Sequence, residues 1–216
     1  HDFLSHLKKV APWIALAVMG LSWGLAFSLA KMAFIAGGKP LGVAFWHVAL
    51  ASVLLFVIAH LQKRPAQFSQ KHLVNYLIVA VLATSIPSSC FMFAAGRVPA
   101  GVIAITIAIV PMLTYALAIL SRKESPSLVR MSGLLFGVIA ILFLVLPETS
   151  LPDRSAVPWI LVACIAPICH AFNNMNLVRP TVASINPLHL IFGANLFGAV
   201  LLLPVASAAG HIFIPQ

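Results

Sequence analysis

Charge is scarce in this chain, and negative charge is the scarcest. Aspartate and glutamate together account for 4 of the 216 residues, and charged residues of both signs make up 8% of the sequence, against 62% hydrophobic residues. A soluble domain carries about 25% charged residues and could not keep its surface hydrated with so few. The composition therefore excludes a soluble globular domain and predicts an integral membrane protein.

Carboxylates are absent from every long apolar run. Proton or sodium relays that depend on aspartate or glutamate are therefore not expected in this part of the chain. If the protein couples the movement of a solute to an ion, the coupling residue could be His47 or His170, because histidine titrates near neutral pH. The coupling residue could also lie in further helices outside this chain, or the protein could have no ion coupling, as in a facilitator.

Metal-binding and catalytic patterns are also lacking. The three cysteines, Cys90, Cys164 and Cys169, lie inside apolar segments and have no ligand spacing with histidine or acidic residues. The sequence contains no HExxH motif, and no carboxylate pair lies within an apolar run. We therefore predict no metal, no cofactor and no enzymatic activity.

Long apolar runs are what the chain has in abundance. A helix needs about 20 residues to cross the hydrocarbon core. Seven runs meet this requirement and predict an all-α, multi-pass protein: 12–36, 41–61, 73–95, 99–120, 127–147, 157–178 and 187–209. Pro87, Pro111 and Pro167 fall inside three of them, where each frees a backbone carbonyl and favours irregular backbone that lines a cavity.

The net charge of +9 comes from short basic clusters between these runs. They lack the aromatic-interleaved basic face of a nucleic-acid binder, so no nucleic-acid partner is predicted. Three basic residues lie on one side of the predicted membrane: Lys39, Arg97 and Arg154. Nine lie on the other: Lys8, Lys9, Lys63, Arg64, Lys71, Arg122, Lys123, Arg130 and Arg179. Because lysine and arginine are enriched on the cytoplasmic side, the N-terminus is predicted to be cytoplasmic. The protein is predicted to lie in the inner (plasma) membrane.

Two segments of the chain read alike at an offset of about 146 residues. Trp13 and Trp159 each open an apolar run, and each run is followed by a short linker that ends in Pro-Leu, at Pro40 and Pro187. The second copy begins after five spans, and an odd number of spans per half forces opposite orientations. We predict inverted five-helix repeats, the first over 1–150 and the start of the second over 151–216. Seven of ten helices would then be present, with the last three missing.

Several motifs resemble the drug/metabolite transporter superfamily and, within it, the EamA-like exporters. Trp23-Gly24, Phe27 and Lys31 are similar to the first-helix pattern of that family, and Arg97 to Gly101 is similar to its short turn between helices three and four. Pro111 followed by Glu124 resembles the segment that closes helix four. The resemblance implies a ten-helix exporter of small metabolites, such as amino acids or amphipathic drugs.

Polar and aromatic side chains inside the spans are the candidates for a substrate pathway, because polar groups that face lipid are costly. Trp23, Phe27 and Lys31 recur every four residues, which predicts an aromatic wall that ends in a cation; alternatively, Lys31 snorkels to the interface. The remaining candidates are His47, Ser85, Ser88, Ser89, Thr106, Tyr115, His170, Asn173 and Asn174. The serines beside Pro87 could instead bond their own helix backbone, and the asparagines could lock neighbouring helices together.

The pattern as a whole favours a membrane transporter that exports small amphipathic solutes by alternating access, with the bilayer and a small-molecule substrate as its partners. The alternatives are a seven-helix receptor and a membrane scaffold that transports nothing. A homodimer is left open, because the glycine pairs Gly20/Gly24 and Gly133/Gly137 could pack within one chain or between two.

Overall fold

The computed structural model describes the backbone of residues 2–145 and 154–213, and the side chains of residues 10–143 and 154–213. Every regular element in these ranges is helical, as a bilayer requires, because a helix pairs its backbone groups within itself. The α-helices are α1 (Asp2–Ile35), α2 (Pro40–Leu61), α3 (Gln70–Val79), α4 (Ile86–Ala95), α5 (Ala100–Ile107), α6 (Val110–Leu120), α7 (Leu128–Val145), α8 (Val157–Leu177), α9 (Pro180–Ala183) and α10 (Pro187–Ala208). A π-helical segment, Ala80–Ser85, joins α3 to α4, and a 3₁₀ turn, Arg154–Ala156, precedes α8.

Six helical stretches in the described residues are long and apolar enough to cross a membrane: Val10–Ile35, Pro40–Leu61, Gln70–Ala95, Ala100–Leu120, Arg154–Leu177 and Pro187–Ala208. The all-α membrane class predicted from composition is thereby confirmed. The remaining predicted span, 127–147, coincides with α7, whose apolar part with described side chains is the shorter stretch Leu128–Phe143. The end of that predicted span lies outside the described residues, so a seventh crossing stays a prediction.

The local effects of Pro87, Pro111 and Pro167 differ. Pro204 also lies inside a span, within α10. The π segment ends directly before the turn of helix that contains Pro87, and α5 ends three residues before α6, where Pro111 is among the first residues. In contrast, α8 continues through Pro167 without a break. Irregular backbone therefore accompanies two of the three prolines, and it interrupts the spans that contain α3–α4 and α5–α6.

α2 and α10 form the most extensive helix pair of the described residues, and they run antiparallel. At the start of α2, Trp46 Nε1 donates to the carbonyl oxygen of Phe213, beyond the end of α10, at 2.7 Å. At the other end of the pair, His189 Nε2 lies 2.9 Å from the carbonyl oxygen of Arg64, beyond the end of α2. Hydrogen bonds thus close both ends of the pair.

α1 and α8 also run in opposite directions, because both contact the C-terminal part of α4. Lys31, near the end of α1, donates to the carbonyl oxygen of Ala95, at the end of α4, at 3.0 Å. Trp159, at the start of α8, stacks on Phe93 with ring centroids 6.4 Å apart. The end of α1 and the start of α8 therefore lie at the same end of the bundle.

The glycine pairs meet different surroundings. A Cβ added at Gly20, Gly24 or Gly133 would meet no described atom within 4 Å, whereas one at Gly137 would meet the Met112 side chain. A Cβ at Gly42 would overlap the carbonyl oxygen of His211. The helices α2 and α10 therefore approach so closely at Gly42 that this position requires glycine. No such close approach occurs at Gly20 or Gly24 among the described residues.

Replacing Gly42 by alanine should lower the thermal stability of the purified protein in detergent. The added Cβ displaces backbone beyond α10, and overpacking of this kind costs about 1–3 kcal/mol. Gly24→Ala is the matched control, because its Cβ meets nothing within 4 Å and alanine is the better helix former. Equal melting temperatures for the two variants would show that the ends of α2 and α10 do not pack this closely.

Candidate functional site

An aromatic cluster forms where α1, α4 and α8 meet. The Phe27 and Phe91 rings pack edge to face at 5.7 Å, Trp23 lies 6.2 Å from the His170 ring, and Phe91 stacks on His170 at 6.4 Å. Three of these four residues are candidates from the sequence, and the structure brings them together. Phe91 was missed, because helical periodicity in an all-apolar span does not indicate which phenylalanine faces its neighbours.

Lys31 extends the same face of α1 but has its donors occupied. Its Nζ donates to the carbonyl oxygens of Ala95 at 3.0 Å and Val98 at 3.5 Å. These carbonyls lie at the C-terminal end of α4, where the helix dipole favours a cation. Lys31 therefore ties α1 to the turn between α4 and α5, an arrangement that neither sequence-based alternative anticipated.

A second group of side chains, the polar centre, is buried on the π segment and on three helices that each contact it. It consists of Ser85 at the end of the π segment, Ser88 on α4, Asn173 on α8 and Asn195 on α10, each less than a tenth exposed. The π segment contacts both α8 and α10. Ser85 Oγ and Asn173 Oδ1 have no hydrogen-bond partner among the described residues. A buried polar atom without a partner costs about 1–3 kcal/mol, so these two atoms are sites where a bound solute or water would be stabilising.

The π segment explains why this part of the span can hold polar groups. Pro87 has no N–H, so the carbonyl four residues earlier, that of Ala83, loses its helical donor. π-helical turns are one way in which membrane helices accommodate such a loss. Thr84 Oγ1 lies 3.3 Å from the carbonyl oxygen of Ala194, and Gly198 on α10 leaves room for the Thr84 side chain. The irregular backbone is thus packed against α10 and not exposed to lipid.

A cleft of about 520 Å³ lies between α6, α7 and α8, and we call it the α6–α8 cleft. It is lined by Pro111, Met112, Thr114, Tyr115, Ala118, Glu124, Arg130 and Asn174. Tyr115 and Asn174 are candidates from the sequence. Thr114, Glu124 and Arg130 were not among the candidates from the sequence. Glu124 could have been chosen, because it is the only acidic residue between the first predicted span and the fifth.

Hydrogen bonds hold the walls of the α6–α8 cleft together. Asn174 Nδ2 donates to Thr114 Oγ1 at 3.1 Å, which joins α8 to α6. Arg130 NH1 donates to Glu124 Oε2 at 2.6 Å at the mouth of the cleft, and the Arg130 guanidinium lies 5.4 Å from the Tyr115 ring centroid. The Tyr115 hydroxyl bonds the backbone of Ser125 and Ser127, so the cleft presents an amide, an aromatic ring and a charge pair to a solute.

The side chains of the adjacent residues Asn173 and Asn174 lie in different regions of the structure. Asn173 is 6% exposed and belongs to the polar centre, whereas Asn174 lines the α6–α8 cleft. Consecutive residues of an α-helix point in directions about 100° apart, which follows from 3.6 residues per turn. α8 thus separates the two polar regions and contributes one asparagine to each.

Three of the sequence candidates do not join these groups. Ser89 Oγ donates to the carbonyl oxygen of Ser85 at 2.7 Å, and Thr106 Oγ1 donates to that of Ile103 at 2.7 Å. Both hydroxyls are satisfied by their own helix, which for Ser89 is the alternative that the sequence left open. His47 is exposed on α2 and faces neither the aromatic cluster nor the α6–α8 cleft.

The model of the EamA-like transporter family matches residues 11–146. The chain belongs to this family. The family is one of multi-pass membrane transporters within the drug/metabolite transporter superfamily, as the first-helix and helix-four motifs indicated. No solved structure shows a significant match to the chain.

Proteins that resemble this EamA-like chain carry transporter names. An uncharacterized transporter of Archaeoglobus fulgidus is 22% identical over 89% of this chain and 66% of its own length. The uncharacterized transporter YoaV of Bacillus subtilis is 23% identical over 81% of this chain and 61% of its own length. A WAT1-related protein of Arabidopsis thaliana is 21% identical over 63% of this chain and 38% of its own. The first two of these relatives are named as transporters, and the chain spans about two thirds of their length.

Asn173→Leu should leave the melting temperature unchanged or raise it, whereas Asn174→Leu should lower it. The first variant removes a buried polar atom that has no partner, and an apolar side chain of similar size is tolerated there. The second removes the Asn174–Thr114 bond, and such bonds contribute about 0.6 kcal/mol in membrane proteins. Thermal unfolding of the two purified variants in the same detergent checks this. A larger loss for Asn173→Leu would show that its amide has a structural partner.

Proposed function

We propose that this EamA-like transporter exports small amphipathic solutes, amino-acid-like or drug-like, by alternating access between two inverted helix bundles. The observation that carries the proposal is the buried polar centre, whose unpartnered atoms lie on the helices that the sequence predicts to belong to different repeats. Ser85 belongs to the first repeat and Asn173 to the second. Since polar groups inside a membrane are costly, unpartnered ones that lie between two bundles favour a solute site.

The α2–α10 pair supports the inverted relation of the repeats. Aligning Pro40 with Pro187 matches position 42 with 189 and position 64 with 211. Gly42 packs against the carbonyl oxygen of His211, and His189 bonds the carbonyl oxygen of Arg64. Exchanging the repeats converts the first contact into the second, as a twofold axis in the membrane plane requires. The opposite directions of α1 and α8 agree with the same axis.

The chemistry of the site suits a solute with an apolar body and a polar end. The aromatic cluster offers ring faces from Phe91 and His170. An asparagine amide carries both a donor and an acceptor, so Asn173 can bind either an ammonium or a carboxylate group without charge of its own. The described part of the spans holds no carboxylate that would pair permanently with a cationic solute. We propose that Trp23, at 45% exposure, lies at the entrance to this pathway.

The proposed topology places the N-terminus in the cytoplasm and the protein in the inner (plasma) membrane. Basic residues follow α2, begin α3, join α6 to α7 and follow α8, and these ends all lie at one end of the bundle. The positive-inside bias assigns that end to the cytoplasm. The repeats would span 1–150 and 151–216, and the chain's share of its relatives' length fits a ten-helix whole protein. A homodimer remains a further proposal.

Purified full-length protein in liposomes should move labelled solutes from a panel of amino acids and amphipathic drugs. Asn173→Ala should slow this flux about tenfold, the effect of losing roughly 1.4 kcal/mol of solute interaction. Leu161→Ala is the matched control, because Leu161 lies on α8 and is 58% exposed. Unchanged kinetics for Asn173→Ala would remove the polar centre from the pathway. Absence of flux for every solute, with folded protein, would favour the scaffold alternative.

Cysteine labelling tests the orientation. In a variant whose Cys90, Cys164 and Cys169 are replaced by alanine, Lys63→Cys should react with a membrane-impermeant maleimide only from the cytoplasmic side. Lys39→Cys should react only from the opposite side, because α2 separates the two positions. Labelling of both from one side would contradict the crossing of α2, and the reverse pattern would contradict the assigned orientation.

A further inference from the structure

A second cleft, of about 370 Å³, opens at the end of the bundle that carries the basic clusters. Lys71, in the first turn of α3, and Arg179, after the end of α8, both line it. Gln70 and Thr181 add polar side chains. We call it the basic cleft. Two cations that are far apart in sequence thus meet in one concave surface.

Neutral groups hold both cations in place. Lys71 Nζ donates to Ser184 Oγ at 3.0 Å, and Arg179 NH1 donates to Asn176 Oδ1 at 3.4 Å. The Nδ2 atom of Asn176 is buried and has no hydrogen-bond partner among the described residues. The charged groups are therefore positioned by hydrogen bonds that leave their charge in place.

No carboxylate that the structure describes neutralises this charge. Glu124 is the one acidic residue among the described side chains, and it pairs with Arg130 in the separate α6–α8 cleft. The first turn of α3 adds unpaired backbone N–H groups, which favour an anion at a helix N-terminus. The basic cleft is therefore electrostatically suited to an anionic ligand.

The shape of the cleft adds an apolar component. Gln70 is the first residue of an apolar span, and Arg179 follows the last turn of α8, so the cations lie where the hydrocarbon region begins. Val74 and Ile78 follow Gln70 at four-residue intervals and also line the cleft. Residues so spaced lie on one face of a helix. An apolar stripe therefore descends from the charged end toward the middle of the membrane.

We infer that the basic cleft binds an anionic phospholipid. The phosphate lies between Lys71 and Arg179, and an acyl chain lies along Val74 and Ile78. A free phosphate ion would use the cations but would gain nothing from the apolar stripe. The cytoplasmic leaflet is rich in anionic lipids, and basic pockets between helices on that side bind their headgroups. The inference goes beyond the transport proposal and does not depend on which solute is carried.

Native mass spectrometry of the purified protein in detergent tests the inference. The protein is titrated with palmitoyl-oleoyl phosphatidylglycerol and, separately, with the phosphatidylcholine of the same chains. We expect the anionic lipid to bind about tenfold more tightly, in keeping with two cations near the membrane surface. The double variant Lys71→Gln/Arg179→Gln should lose this preference.

The matched control is the double variant Arg64→Gln/Lys123→Gln. Both residues are exposed at the same end of the bundle, the change in net charge is the same, and neither residue lines the basic cleft. The control should keep the preference for phosphatidylglycerol. An equal loss in both double variants would show a general effect of surface charge and would overturn the inference.

Two further measurements separate lipid from free phosphate and binding from folding. Inorganic phosphate or glycerol phosphate that displaces phosphatidylglycerol at similar concentrations would assign the cleft to a free anion and would overturn the inference. Thr181→Glu leaves the Lys71 and Arg179 hydrogen bonds intact and introduces a negative charge into the cleft. It should lower phosphatidylglycerol affinity several-fold even if the double variant does not fold; unchanged affinity would overturn the inference.

Discussion

A polar group inside a bilayer has no water to bond with, and this constraint governs the whole molecule. It is the reason that the described chain is helical, since only helices satisfy the backbone without a partner strand. It also makes every departure from regular helix conspicuous. The π segment before Pro87 is such a departure, and the bundle accommodates it by packing Thr84 against Ala194 and Gly198 of α10. The irregular segment is thus packed against a neighbouring helix.

The same constraint distinguishes polar side chains that stabilise the bundle from polar side chains that are available to a solute. The hydroxyls of Thr106 and Ser89 donate to backbone carbonyls of their own helices. The Lys31 ammonium donates to the carbonyl oxygens of Ala95 and Val98, at and just beyond the end of α4. These groups stabilise the bundle and have little left to offer a solute. Ser85 and Asn173 are buried, and the Ser85 Oγ and Asn173 Oδ1 atoms have no hydrogen-bond partner among the described residues. That difference is why we propose that the solute binds beside Ser85 and Asn173.

Much of the architecture could be predicted from the sequence, because the bilayer imposes a length and a polarity on each crossing. Six predicted spans correspond to helices of membrane-spanning length, and the charge clusters lie at the helix ends where topology rules place them. The local effect of a proline could not be predicted. Pro87 and Pro167 look alike in sequence, yet the first accompanies a π segment and the second lies within a continuous helix. Each frees a carbonyl, and the packing of neighbouring helices decides how the backbone responds.

The residues of the candidate site could likewise be predicted only in part. Trp23, Phe27 and His170 could be found from spacing and composition, because few aromatic or titratable side chains lie within the spans. Phe91, which completes their cluster, could not be distinguished from the many other apolar residues around it.

The sequence alone was enough to predict a helical membrane protein of the EamA-like family, the positions of six of its crossings, and a set of polar and aromatic candidates within them. The tertiary structure alone decided that Asn173 is buried in the polar centre while Asn174 lines a cleft, and that Lys71 meets Arg179. The physical reason is that helical periodicity orders residues around their own axis. The rotation of that axis, and the identity of the helix beside it, depend on packing between segments that are distant in the chain.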